Sequence, residues 1–242
     1  MGEWEDASHV LNNMGMFAYW EGRWDDAVRL YRQSGALAER IGDEEVLATS
    51  RANVGEVLAD QGDWAGGSAA LEEALRIWRA AGNSGGVGFA RMLLGRAMAR
   101  AGRFADGVAQ LEAAVSELAT HGMDDAVVAE TYLAEALAYA GDADATRARI
   151  ERLRGRDTGA EALLLRAAAL VTPTAAGRRG GLLASLAAAR ADEQPYDVAI
   201  ALDLLVQEGA ADPDAGVHAL ERDELFARMG ITRLPPAPPP PR

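Results

Sequence analysis

The residues that could do chemistry are few, and their spacing does not favour it. Four acidic pairs, Asp25-Asp26, Glu44-Glu45, Glu72-Glu73 and Asp124-Asp125, are of the type used for general acid–base catalysis or for binding hard cations. Each falls at a predicted helix start or on a polar helix face, where the helix dipole and solvent account for it. The run Gly82-Asn83-Ser84-Gly85-Gly86-Val87-Gly88 could cradle a phosphate at the start of a helix, but no strand precedes it and no lysine follows, so it reads as a loop between repeats. His9, His121 and His218 lack partners at metal-ligand spacing. With 0 cysteines, disulfides, thiol nucleophiles and thiolate metal sites are excluded. All 24 basic residues are arginine, which removes the phosphate-loop lysine, the Schiff-base lysine and the Ser-Lys dyad. No Gly-x-Ser-x-Gly elbow occurs either. The expectation is a chain without catalysis and without a cofactor or metal.

What remains is architecture. The 242 residues suffice for a large core, and the net charge of −13 disfavours nucleic acid, whose phosphates need a basic face. No apolar run approaches the roughly 20 residues of a membrane span, and the acidic start Met1-Gly2-Glu3-Trp4-Glu5-Asp6 is no signal peptide, so a cytoplasmic location is expected. The first proline is Pro173, which leaves a long stretch free for unbroken helices.

That stretch repeats itself. Met14-Gly15, Gly22, Trp24, Ala27 and Tyr31 recur forty residues on as Val54-Gly55, Gly62, Trp64, Gly67 and Leu71, and again as Leu94-Gly95, Gly102, Phe104, Gly107 and Leu111. A fourth unit follows after a shift of 39, with Leu133-Ala134, Gly141, Ala143, Thr146 and Ile150. A second glycine series, Gly42, Gly82 and Gly122, keeps the same period. Repetition on this scale signals a solenoid. Each unit reads as two helices. The first ends at a glycine suited to a left-handed terminator, and the second carries an apolar stripe at helical spacing. The small residues mark close approach of the paired helices, and Trp24, Trp64 and Phe104 are expected in the core. Neither helix buries its stripe alone, so neighbours must stack.

These residues resemble the tetratricopeptide repeat, whose apolar-Gly, Gly, aromatic, Ala and large-apolar positions the first unit matches throughout. The departures are a period near 40 rather than 34 and a missing proline at the end of the second helix. The resemblance implies an all-α, right-handed solenoid of antiparallel helix pairs: four over residues 1–154, a degenerate continuation or cap over 155–233, and a Pro-rich tail over 234–242. The tail is expected to be polyproline-like and dispensable for folding.

It also implies an inner groove that holds a protein or peptide segment. Asn13 and Asn53, each two residues before the repeat glycine, would face it and could bond the backbone of an extended chain, unless they are merely solvated. Helix spacing adds Asn12, Met16, Tyr19 and Trp20 from the first unit, Glu56 and Asp60 from the second, Arg96 and Arg100 from the third, and Tyr132, Glu135 and Tyr139 from the fourth. This gives an aromatic entrance, an acidic patch and a basic one. The same alternation could instead form salt bridges between repeats, Glu56 to Arg96 and Asp60 to Arg100.

Beyond residue 155 the pattern decays into shorter helices, with Asp212-Pro213-Asp214 suited to start the last and Gly230 to end it. The stretches Tyr196–Leu202, Asp212–Ala215, Leu225–Ile231 and Leu234-Pro235 are similar to the C-terminal end of multidomain bacterial class III adenylate/guanylate cyclase-type proteins, which carry a cyclase domain, a STAND/AAA-type ATPase domain and then such repeats. The resemblance implies a non-catalytic sensor or scaffold arm of a larger signalling protein. The alternatives are the arm of a STAND-type transcriptional regulator or, less in keeping with the residues, a small-molecule-binding helical protein.

Overall fold

A computed structural model describes residues 2–120, 125–209 and 214–238. His121, Asp124, Asp212 and Pro213 lie outside them, as does the end of the Pro-rich tail. Among the described residues there are helices and no strands. They are α1 (Gly2–Trp20), α2 (Trp24–Ile41), α3 (Glu44–Asp60), α4 (Trp64–Ala80), α5 (Ser84–Arg100), α6 (Phe104–Thr120), α7 (Asp125–Tyr139), α8 (Ala143–Leu153), α9 (Glu161–Leu170), α10 (Ala175–Ala191), α11 (Pro195–Gln207) and α12 (Ala215–Met229).

The punctuation is the one the residues dictate. The inter-helix glycines adopt the left-handed conformation that a side chain resists, with φ +75° at Gly22, +91° at Gly62 and +81° at Gly102. After Gly42, Gly62 and Gly141 the next helix starts on a short polar cap. The carboxylates of Asp43, Asp63 and Asp142 accept from the backbone N–H of Val46, Gly66 and Ala145 at 3.0 Å each. The Gly-rich run at 82–88 is such a junction. Asn83 caps α5 by accepting from Gly86 N–H at 2.9 Å, and its amide donates to Glu45 on α3. A Cβ on Gly86 would lie 2.5 Å from the Trp78 ring, so the glycine there admits a core aromatic rather than a phosphate.

Consecutive helices pair, α1 with α2 through α11 with α12, and each pair stacks on the next. The small residues set the spacing within a pair. A Cβ on Gly95 would lie 2.8 Å from the Gly107 carbonyl oxygen and 2.8 Å from Leu111 Cγ, and one on Gly107 would lie 2.7 Å from the Gly95 carbonyl oxygen. Backbone meets backbone there, and no side chain can move aside. Gly95→Leu is therefore expected to cost about 3 kcal/mol, the upper part of the range for overpacking, and to lower the melting temperature by roughly 6–12 °C. An unchanged thermal midpoint would show that the pair can splay freely.

Three apolar clusters run along the chain. One spans α3 to α7, a second spans α7 to α11, and a third joins the two ends of the solenoid. The third holds Trp24, Tyr31, Val54 and Val57 from the first repeats together with Ala199, Met229 and Ile231 from the last. The solenoid thus curls until its ends touch: the rings of Trp24 and Tyr196 meet edge to face at 5.0 Å.

Two expectations need correction here. Of the recurrent aromatics, Trp24 is fully buried, but Trp64 and Phe104 are only partly so. Phe104 bridges two clusters, whereas Trp64 offers its face to Arg233, whose guanidinium lies 4.1 Å from the ring centroid. The described part of the tail, 234–238, lies against the solenoid. Leu234 packs against two clusters, Pro235 and Pro238 are buried, and Ala237 N–H donates to Gln207 Oε1 at 2.8 Å. The composition argument treated proline as having nothing to bury, yet its ring is itself apolar and extended backbone lies readily over a helix edge.

Candidate functional site

From α3 onward, each odd-numbered helix carries at one position a charge of alternating sign: Glu56 on α3, Arg96 on α5, Glu135 on α7, Arg166 on α9 and Asp197 on α11. They are bonded in two groups, Glu56 with Arg96 and Glu135 with Arg166 and Asp197. Arg96 donates to Glu56 at 2.8 Å. Arg166 donates to Glu135 at 2.6 Å and to Asp197 at 2.8 Å. One helical turn further along, Asp60 receives Arg96 at 2.5 Å, Arg100 at a very short contact, and the Tyr19 hydroxyl at 2.7 Å. Arg96 also donates to the Tyr132 hydroxyl at 3.0 Å and lies against that ring. Asp60, Arg96, Arg100, Glu135 and Arg166 are all buried.

Burial on this scale requires pairing, and the titration behaviour follows from it. Burial would raise the Glu135 carboxyl, but Arg166 and then Arg100 outweigh it and hold the group below the usual carboxylate range. Glu56 goes the other way: burial raises it, and Arg96 offsets only part of the effect. Burial, reinforced by Asp60 and Glu56, pushes the Tyr19 phenol well above its ordinary value, which keeps it a hydrogen-bond donor to Asp60. Tyr196 is likewise raised by burial.

Both proposed salt-bridge pairings, Glu56 with Arg96 and Asp60 with Arg100, are present, and the acidic and basic patches expected as separate stretches of groove neutralise each other. Tyr19, Glu56, Asp60, Arg96, Arg100 and Tyr132 share one network, and Glu135 belongs to the adjoining one. Tyr139 is buried on the same helix with its hydroxyl unpartnered. Asn53 donates to Asn12 Oδ1 at 2.9 Å, while Asn13 is exposed, Met16 is partly buried and Trp20 is exposed. Arg166, Tyr196 and Asp197 were not among the expected site residues. The signal for Arg166 was available: it is the one cation in Glu161-Ala162-Leu163-Leu164-Leu165-Arg166-Ala167-Ala168-Ala169-Leu170, a run too apolar to leave it without a buried partner.

Against this network lies a cavity of about 450 Å³, lined among others by Tyr19, Trp20, Trp24, Arg96, Arg100, Tyr132, Gln194, Tyr196 and Asp197. It sits where the first and last helix pairs meet. Its walls combine aromatic rings and two guanidiniums with the acidic residues Asp192, Glu193 and Asp197, and Trp20 is exposed at the rim. Its size is that of a ligand site. Among the described residues, no cluster of His, Asp and Glu could hold a metal ion, and no helix is long and apolar enough to cross a membrane.

Comparison with known proteins agrees with this geometry. No curated protein matches the chain in sequence. Among solved structures, a Rap protein complexed with competence and sporulation factor superposes with a TM-score of 0.73 at 14% identity, over 94% of this chain and 63% of that one. The chain thus spans less than two thirds of that protein's length, and the likeness is one of fold. The sequence profile described as tetratricopeptide repeat matches residues 6–65 and 46–116. Residues 6–116 thus match the tetratricopeptide repeat, and the chain as a whole is a helical-repeat solenoid.

Proposed function

We propose that the chain is a non-catalytic recognition module that binds a short peptide or protein segment inside its curl. The observation that carries this is the cavity of about 450 Å³ walled by Trp20, Tyr132, Tyr196, Arg96 and Arg100. Aromatic faces bind apolar side chains at small entropic cost, and guanidiniums bind carbonyls and carboxylates. The Rap protein of the same fold is complexed with competence and sporulation factor, which supports reading this chain as a binding module. The similarity of 196–202 and 225–235 to the ends of cyclase-type proteins supports placing the module as the sensor or scaffold arm of a larger cytoplasmic signalling protein, with the arm of a STAND-type regulator as the alternative setting.

A displayed library of random octapeptides, selected against the full chain, tests the reading. Trp20→Ala is expected to weaken selected binders about thirtyfold, as for an aromatic hot spot. Asn53→Ala, which removes one neutral hydrogen-bonding group on the inner face, is expected to weaken them roughly two- to tenfold. Titration calorimetry reads both. Binders indifferent to both substitutions, or a selection that yields none, would remove the cavity as the binding site.

A further inference from the structure

The turn between α3 and α4 carries features that repeat packing does not explain. The last carbonyls of a helix lack intrahelical partners, and here the C-terminal segment supplies them. Thr232 donates twice to the Gln61 carbonyl oxygen, from its backbone N–H and its hydroxyl, at 2.8 Å each. Arg233 Nε donates to the Gly62 carbonyl oxygen at 2.7 Å. Its guanidinium then covers Trp64 at 4.1 Å from the ring centroid. Gln61 answers by donating to the Met229 carbonyl oxygen at 3.0 Å. A Cβ on Gly62 would lie 2.7 Å from the Arg233 carbonyl oxygen, whereas the equivalent Gly102 and Gly141 face open space. Gly62 therefore serves as a seat as well as a helix terminator, and the partly buried Trp64 offers its face to the same segment.

We propose that Gln61, Gly62 and Trp64 form a second peptide-docking site, separate from the central cavity and built for an extended Thr-Arg-Leu-Pro segment. The chain's own residues 232–237 fill it in cis, and they act as a strap across the seam where the two ends of the solenoid meet. The chemistry of the occupant is legible in the site. Two outward carbonyls read donors on consecutive residues, an aromatic face reads a guanidinium, and the prolines that follow hold the segment extended before it binds, so little entropy is lost. Tethering gives the strap an effective concentration in the millimolar range, so it excludes a competing segment of the same kind. The strap crosses the same contact that joins Met229 and Tyr196 to the first repeat, so its release loosens the seam that borders the central cavity. None of this rests on what the central cavity binds.

The test uses the full chain and its Arg233→Ala and Arg233→Lys variants. Hydrogen exchange is measured at the Thr232 and Ala237 amides and at the first turns of α11, together with binding of a synthetic peptide of residues 231–238. Arg233→Ala is expected to quicken exchange at all these sites about tenfold, through loss of a charge-assisted hydrogen bond and of the stacked cation. It is also expected to let the peptide bind in trans, while the wild-type chain excludes it. Arg233→Lys, which keeps a cation over Trp64, should fall between. Three results would each overturn the strap: unchanged exchange in Arg233→Ala, quickening at 232–237 that leaves α11 untouched, or peptide binding to wild type and variant alike.

Discussion

Arg166→Met is expected to destabilise the protein by about 3–5 kcal/mol, the usual consequence of removing one partner from a buried ion pair. Arg166 is 0% exposed and holds two carboxylates, Glu135 at 2.6 Å and Asp197 at 2.8 Å. Methionine keeps much of the volume, so the loss is electrostatic rather than that of a cavity. The melting temperature should fall by roughly 6–20 °C for a chain of this size. The pH dependence identifies the cause. In the wild type, burial would raise the Glu135 carboxyl but Arg166 and Arg100 hold it below its ordinary range. Its pairing therefore contributes stability that is full above about pH 4.3, the unfolded value, and is lost as pH falls through the lower folded value. Without Arg166, burial dominates and the folded value rises above the unfolded one, so protonation relieves the variant as pH falls from neutrality. The gap between the two proteins should be widest near pH 7–8 and narrower by pH 5. A gap independent of pH, or a loss below 1 kcal/mol, would show that the pair is solvated. Replacing Glu135, Arg166 and Asp197 together by apolar residues should recover most of the stability.

The charged ladder explains how far the sequence could be read. The repeat itself was open to inspection because it is local. Glycine terminators, short polar caps and a Gly facing a Gly across α3–α4 and α5–α6 each rest on residues near in sequence, and Gly55, Gly67, Gly95 and Gly107 sit where their spacing required. The inner face was half legible. Helix spacing found Glu56, Asp60, Arg96, Arg100 and Glu135, and the pairings Glu56–Arg96 and Asp60–Arg100 were one of two readings. The series continues as Glu135, Arg166 and Asp197 with a step of 31 residues, after α8 shortens to 11 residues and the period contracts. A search at period 40 loses it there. The closure of the curl was not legible at all. It joins Trp24 to Tyr196 and Gln61 to Thr232, separations of well over one hundred residues, and no periodic pattern marks such a contact. The pairing of Trp64 with Arg233 and the seating of residues 234–238 escaped the sequence for that one reason, since each is half of a contact whose other half lies far along the chain.

Asp60→Asn is expected to cost about 3 kcal/mol and to make the protein responsive to anions. Asp60 is the shared acceptor of Arg96, Arg100 and the Tyr19 hydroxyl, and its side chain is 1% exposed. Hydrogen bonds to charged groups contribute about 1.5–3 kcal/mol each, and asparagine keeps one acceptor oxygen while losing the charge. Arg96 retains Glu56, but Arg100 has no second carboxylate within bonding distance and is left stacked on the Tyr196 ring. Both guanidiniums border the central cavity. In the wild type the aspartate satisfies them from within, so the cavity presents aromatic faces and the remaining N–H groups rather than a free cationic pair. With the aspartate neutralised, a small anion entering the cavity finds Arg100 without a bonded carboxylate, beside a lining that also carries Asp192, Glu193 and Asp197. Anything that binds only the folded state stabilises it by mass action, about 2.7 kcal/mol at a hundredfold excess over Kd. Sulfate, compared with chloride at equal ionic strength, should therefore raise the melting temperature of Asp60→Asn by several degrees more than that of the wild type, and Arg100→Gln in the same background should abolish the difference. Equal responses in the two proteins would mean that the guanidiniums stay neutralised by Glu56 and Glu135, and that the charge of the cavity is set by the whole ladder rather than by Asp60.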